Sequence, residues 1–155
     1  MPKQRQNLEH QALERFEEIA RKYPWPLFKG QGSDNRISGE GNTYFQFGDL
    51  RIDKGNRYLV IEVESAGGVT NLVKYWECLE KRSSDIGKPL ILFHVFRQTS
   101  RSDYGSHLEL WDFIWGKMRI ALGDKRIKAT RHTYRDLSEL EPVLSAFEEY
   151  LRQRA

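Results

Sequence analysis

The sequence predicts an α/β domain, on three observations. Segments with apolar residues at helical spacing alternate with short runs rich in Val and Ile. The turn signal Lys54-Gly55-Asn56 separates two of those runs and sets up an antiparallel hairpin. Residues 89–96 are apolar almost throughout, as expected of a strand covered on both faces. With 155 residues the chain is long enough for one domain, 1–155, with its own core, and no repeat, low-complexity tract or long linker divides it.

The elements follow in order. Residues 7–22 read as an amphipathic helix, with Leu8, Leu13, Phe16, Ile19 and Ala20 at helical spacing and Pro24 and Pro26 ending it. Residues 33–38 are expected to form a short first strand before the turn at 39–42. Residues 43–53 read as one strand with Tyr44, Gln46, Gly48, Leu50 and Ile52 on one face, and 58–65 as its hairpin partner. After Gly67 and Gly68, Thr70 caps a helix running to about Arg82 with Leu72, Tyr75, Trp76 and Leu79 buried. A helix over 107–122 turns Leu108, Trp111, Ile114, Trp115 and Met118 inward, and 126–134 reads as an edge strand. The last helix carries Val143, Leu144, Phe147, Tyr150 and Leu151. Ser138 with Glu141 suggests a capping box for it, while Pro142 suits the first helical position.

Composition excludes several classes. The single cysteine, Cys78, rules out an intrachain disulfide and a multi-thiolate zinc site. The polar N-terminal segment lacks an apolar signal region, and no run is long enough to span a bilayer. A reducing, cytoplasmic compartment without membrane partners is therefore the expectation. Net charge is +3, but its distribution is uneven: seven Lys/Arg residues and one acid, Asp124, fall between Lys117 and Arg135.

Folding the hairpin about Gly55 and Asn56 sets Asp49 roughly opposite Ile61 or Glu62, and strand alternation turns Glu62 and Glu64 to one face. Three carboxylates then converge at one end of the hairpin and repel unless a counter-charge is present. A hard divalent cation with oxygen ligands, Mg²⁺ or Mn²⁺, suits such a cluster, activating water and stabilising phosphate charge. The alternative is a solvated acidic face. Glu62 argues against it, because it follows the apolar run Tyr58-Leu59-Val60-Ile61, where a buried acid needs a partner.

The segments Gly48-Asp49-Leu50-Arg51-Ile52 and Leu59-Val60-Ile61-Glu62-Val63-Glu64, followed by a helix, resemble the PD-(D/E)XK nuclease superfamily over the first two-thirds of the chain. The resemblance implies a restriction-endonuclease-like α-β-β-β-α-β core, with a mixed central sheet flanked by helices. It implies Asp49 and Glu62 as metal ligands, and Glu64 as a third ligand or water-orienting base. Gly48 stands where the family often has proline, a departure expected to be harmless. Glu64 stands where the family usually has lysine, a role some members fill from the following helix, where Lys74 lies. The activity implied is a metal-dependent phosphodiesterase, or a nuclease-like module without catalysis that binds nucleic acid or a partner protein. DNA is favoured over RNA, and a homodimer is open.

The remaining candidates each have a plainer reading. Lys74 reads on its own as a solvent-facing helical lysine near Glu77. Gly67 and Gly68 end a strand, or let a phosphate backbone approach closely. His94, inside an apolar strand, reads as a satisfied core histidine, and Trp25 between two prolines is the tryptophan open to stacking. Arg126, Lys128 and Thr130 alternate with Ile127 and Ala129 and are expected to give one cationic strand face, with Arg131 as a further candidate; the stretch either blocks aggregation or contacts nucleic-acid phosphates.

Overall fold

The computed structural model describes residues 7–30, 32–39, 43–64, 68–98, 104–123 and 125–154, the side chains of 83 and 104–106 aside. Helix α1 (Leu8–Ala20) starts where the Asn7 side chain accepts a hydrogen bond from the Glu9 amide at 2.8 Å. Strand β1 (Leu27–Lys29) follows, then a 3-10 turn (Ser33–Asn35), β2 (Arg36–Ser38), β3 (Tyr44–Gln46), β4 (Leu50–Asp53) and β5 (Tyr58–Glu64). Helix α2 (Val69–Ile86), β6 (Leu90–Arg97), α3 (Tyr104–Leu122), β7 (Ile127–Tyr134), a second 3-10 turn (Leu137–Leu140) and α4 (Glu141–Arg152) complete the chain.

The main sheet is mixed, in the order β1-β4-β5-β6-β7. Its β1–β4 and β4–β5 pairs are antiparallel, while β5–β6 and β6–β7 are parallel. One face packs under α1 and α4, where Phe16 meets Phe147 edge-on at 5.3 Å between ring centroids. The other face packs under α2 and α3 through Val60, Leu72, Tyr75, Leu92, Trp111 and Met118. Strand β6 is buried along nearly its whole length, as a central strand covered on both faces must be.

Four local expectations are corrected. Residues 43–53 are not one strand: β3 pairs with β2 in a separate two-stranded sheet, and only β4 enters the main sheet. The first expected strand is reduced to β2, because Ser33–Asn35 forms the 3-10 turn. β1 was not expected, and it occupies the edge beside β4. Trp25 is no open stacking surface: its Nε1 donates to the Leu151 carbonyl at 2.9 Å, and its ring is partly buried in the α1–α4 core.

The break between β3 and β4 is held by buried polar groups. Asn35 is fully buried, and its Nδ2 donates to the carbonyls of Phe47 (2.6 Å), Gly30 (3.0 Å) and Gly48 (3.1 Å). Its Oδ1 accepts from Arg51 Nε at 3.1 Å. The Arg51 guanidinium lies against the rings of Phe28, Phe47 and Tyr58. Every polar group in this cluster is thereby partnered inside low-dielectric surroundings, which fixes its geometry.

At the other end of β4, the buried Lys54 ammonium donates to the carbonyls of Tyr150 and Gln153 at the C-terminus of α4. Lys54→Met keeps the apolar stem but strips these carbonyls of their donor. It is expected to lower stability by about 1–3 kcal/mol, seen as a fall in the urea midpoint without a change in slope.

Candidate functional site

The β4–β5 register pairs Leu50 with Ile61, so Asp49, one residue earlier, lies opposite Glu62, and its amide donates to the Ile61 carbonyl at 2.8 Å. Asp49 Oδ2 accepts from the Val63 amide at 2.8 Å, tying the aspartate to the strand that carries both glutamates. Glu62 is 4% exposed. Its Oε1 accepts from Lys74 Nζ at 2.8 Å and from the Tyr75 hydroxyl at 2.9 Å. Successive residues of α2 thus both reach one carboxylate oxygen. Lys74 pairs with Glu62, not with Glu77, whose ion-pair partner is Lys81.

Glu64 is held from β6. Its Oε2 lies 2.9 Å from His94 Nε2, and His94 Nδ1 lies 2.9 Å from Trp111 Nε1. An indole N–H can only donate, so Nδ1 is an acceptor. Burial depresses the fully buried His94 to about 4, so the ring is neutral at pH 7. The proton of a neutral imidazole then sits on Nε2 and is donated to Glu64 Oε2. Trp111 on α3 fixes the tautomer of His94, and His94 fixes one oxygen of Glu64.

Electrostatics bind these groups into one cluster. Burial, and then the neighbouring Asp49 charge, push Glu64 up to about 8. Burial raises Glu62 against the pull of Lys74, with Asp49 and Glu64 pushing it further up. Burial also raises Asp49, against the Val63 hydrogen bond and the charge of Lys74. Tyr75 is pushed well above its ordinary value by burial and by Glu62, so it stays a donor. Perturbed acids meeting a lysine in this way mark a candidate functional site.

Two glycines make room for the cluster. A Cβ at Gly68 would fall 1.3 Å from Glu64 Oε2, so the glutamate packs directly over the start of α2. A Cβ at Gly48 would come within 2.6 Å of the Ile61 carbonyl oxygen and 2.7 Å of Val60 Cγ1. The Gly48 amide also donates to the Tyr75 hydroxyl at 2.9 Å. A proline at position 48 would have no N–H to donate to Tyr75. Gly67 lies outside the described residues. Gly68→Ala is expected to push Glu64 off His94, which nitrogen-resolved NMR of the imidazole would register as a lost Nε2 hydrogen bond.

The donor set fits a hard divalent cation in its chemistry. Hydrogen bonds among the described residues engage Asp49 Oδ2, Glu62 Oε1 and Glu64 Oε2, leaving the second oxygen of each carboxylate without one. Among the described residues no group of three or more His, Cys, Asp or Glu is arranged to hold a metal ion. Mg²⁺ in particular keeps several waters and commonly uses one or two carboxylates plus substrate oxygens.

The basic stretch is divided rather than concentrated. Lys128 is exposed, with Nζ 3.4 Å from the Tyr150 hydroxyl on the α4 side. Arg131 points to the opposite face of β7, where its Nε and Nη2 hold Asp112 of α3 at 2.7 and 2.9 Å. Arg126 donates to the Leu79 carbonyl at 3.2 Å. Of the expected cationic face, Lys128 is exposed while Arg126 is tied to Leu79, and strand alternation places Arg131 on the opposite face from Lys128.

Comparison of the chain with protein-family models, with curated proteins and with solved structures returns no match. No helix among the described residues is long and apolar enough to cross a membrane.

Proposed function

We propose that the protein is a metal-dependent phosphodiesterase acting on nucleic acid, with DNA the favoured substrate, built on a restriction-endonuclease-like core. The observation that carries the reading is the ion pair between Lys74 of α2 and the buried Glu62 of β5, beside Asp49 and Glu64. An acid just ahead of one hairpin strand, two acids on the next and a lysine from the following helix supply the groups that phosphodiester hydrolysis needs.

Asp49 and Glu62 are the residues that would hold Mg²⁺ or Mn²⁺. When bound, such an ion offsets phosphate charge and lowers the pKa of water. Glu64 Oε1 faces the reaction as a third ligand or as the base that takes a proton from the attacking water, while His94 retains Oε2. Lys74 places a positive charge where the scissile phosphate gathers negative charge. Tyr75 holds the Glu62 carboxylate in one orientation toward Lys74.

Glu64, standing where the resembled family usually carries lysine, supports a second reading, a nuclease-like module that binds nucleic acid without cutting it. Incubating supercoiled and linear DNA with the protein in Mn²⁺ separates the two: cleavage abolished in Asp49→Ala supports the enzyme, and retention without cleavage supports the module.

Binding itself is expected to depend on Lys128 more than on Arg131. Lys128→Ala should flatten the log–log salt dependence by about one unit if it holds one phosphate. Arg131→Ala should leave the slope unchanged, because its guanidinium is already committed to Asp112. Fluorescence-anisotropy titrations over a salt series check both outcomes.

A further inference from the structure

We infer that the cavity at the N-terminal ends of β5, β6 and β7 is a binding site for a nucleotide phosphate, separate from the acidic cluster.

The cavity has a volume of about 450 Å³, a size typical of small-ligand sites. Arg57, immediately before β5, lines it together with Lys125, just ahead of β7, and Lys128 of that strand. Tyr150 of α4 and the Asn56 carboxamide lie beside these cations. Leu90 and Ile127, both buried, supply apolar lining at the starts of β6 and β7.

The balance of charge points to an anion. Among the described residues no acid lines this cavity, and Arg57, Lys125 and Lys128 make no ion pair. Lys128 has only its 3.4 Å contact with the Tyr150 hydroxyl. Other cations of the chain do find acids: Arg131 holds Asp112, Lys88 holds Asp53 and Arg15 holds Glu141. A further cation lies close by, since burial and then the charge of Arg57 pull the Lys54 ammonium down. Like charges gathered without an acid repel, and a bound anion relieves them. Apolar walls beside the charges concentrate the field inside the cleft.

The donors suit a phosphate. A guanidinium pairs with two phosphate oxygens at once, and ammonium groups act on the remaining charge as point cations. The Tyr150 hydroxyl and the Asn56 carboxamide add neutral donors. Leu90 and Ile127 offer contact to an uncharged ring, which is what a nucleoside adds to its phosphate.

The site stands without the metal reading, because none of its residues belongs to the acidic cluster. Arg57 and Glu64 stand at opposite ends of the β5 segment, about 20 Å apart along an extended strand. Lys128 is on the α4 side of the sheet, whereas Glu62 faces Lys74 and Tyr75 of α2. One nucleotide cannot touch both. The phosphate therefore belongs to a free nucleotide, or to one nucleotide of a strand that continues past the cavity.

Isothermal titration calorimetry of the metal-free protein with adenosine 5′-monophosphate tests the site. Saturable binding of one nucleotide per chain at or below millimolar concentration is expected, with adenosine at least about tenfold weaker for lack of the phosphate. Arg57→Gln and Lys128→Gln should each weaken the monophosphate about tenfold, with circular dichroism checking that the fold is kept. Arg131→Gln removes the same charge on the opposite face and should leave binding unchanged. A short oligonucleotide that displaces the monophosphate assigns the cavity to a nucleotide within a strand. Simultaneous binding of both assigns it to a free nucleotide. No binding of the monophosphate at millimolar concentration, equal binding of adenosine, or indifference to Arg57→Gln and Lys128→Gln overturns the proposal. A protein that fails to bind Mn²⁺ leaves this result untouched, so failure of the metal reading is told apart from failure of this one.

Discussion

Glu62→Gln is expected to abolish phosphodiesterase activity by orders of magnitude while leaving the metal-free fold as stable as the wild type, or slightly more stable. Glutamine keeps the shape of glutamate and can still accept from Tyr75 and Lys74, so the hydrogen bonds at Oε1 persist. What is lost is a carboxylate whose charged form is disfavoured first by burial and then by the neighbouring Asp49 and Glu64. Lys74 loses its ion partner, but its side chain is 28% exposed and is solvated instead. Stabilisation by Mn²⁺ should shrink sharply, because a ligand stabilises the native state only through its affinity for it. Thermal melts of both proteins with and without millimolar Mn²⁺ check this. If the wild type gains no stability from Mn²⁺, the catalytic reading gives way to the binding module.

Gly48→Pro is expected to destabilise the protein by about 2–4 kcal/mol, combining steric overlap with a lost hydrogen bond. The added Cβ would press on the Ile61 carbonyl, which already accepts the Asp49 amide, and on Val60. The ring would also remove the amide that Tyr75 accepts from. For a chain of this length the melting temperature should fall by about 5–15 °C. Gly48→Ala separates the contributions, since it keeps the amide and loses only the space. Equal melting temperatures for wild type and Gly48→Pro would mean that the β3–β4 break relaxes without strain.

The parts of the fold legible in the sequence were those carried by strong local periodicity. The helices over α1, α2, α3 and α4, the β4–β5 hairpin and the buried β6 are all where apolar spacing and turn residues place them. The parts that were not legible depend on contacts distant in sequence. Tyr44 to Asp53 alternates like one strand, and nothing local shows that Asn35 will draw the Phe47 and Gly48 carbonyls aside and split it. β1 is only three residues long and offers too little pattern to separate from a loop. Within the site, turn position alone placed Asp49 opposite Ile61 or Glu62, and the observed register decides for Glu62. The roles of His94 and Trp111 did not, because an imidazole in an apolar strand looks the same whether its partner is a backbone carbonyl or a glutamate. The β5–β6 register that sets Glu62 beside His94 is fixed by a crossover through α2, which carries no local signal for it. The divided orientation of Lys128 and Arg131 could have been read from alternation alone, since they differ by an odd number of positions.

The polar clamp of Asn35 and Arg51 has a consequence for hydrogen exchange. The backbone just ahead of Asp49 is held by a side chain that reaches three carbonyls at once, and the Asp49 amide is bonded across the hairpin to Ile61. Local fraying cannot release that amide without also uncovering the buried Arg51 and its three ring contacts. Its deuteration should therefore proceed at the slow rate set by global unfolding, alongside the amides of β6. An aspartate on a loop between two sheets would, by position alone, belong among the fast-exchanging residues. Here it is expected to exchange with the protein's slowest-opening unit.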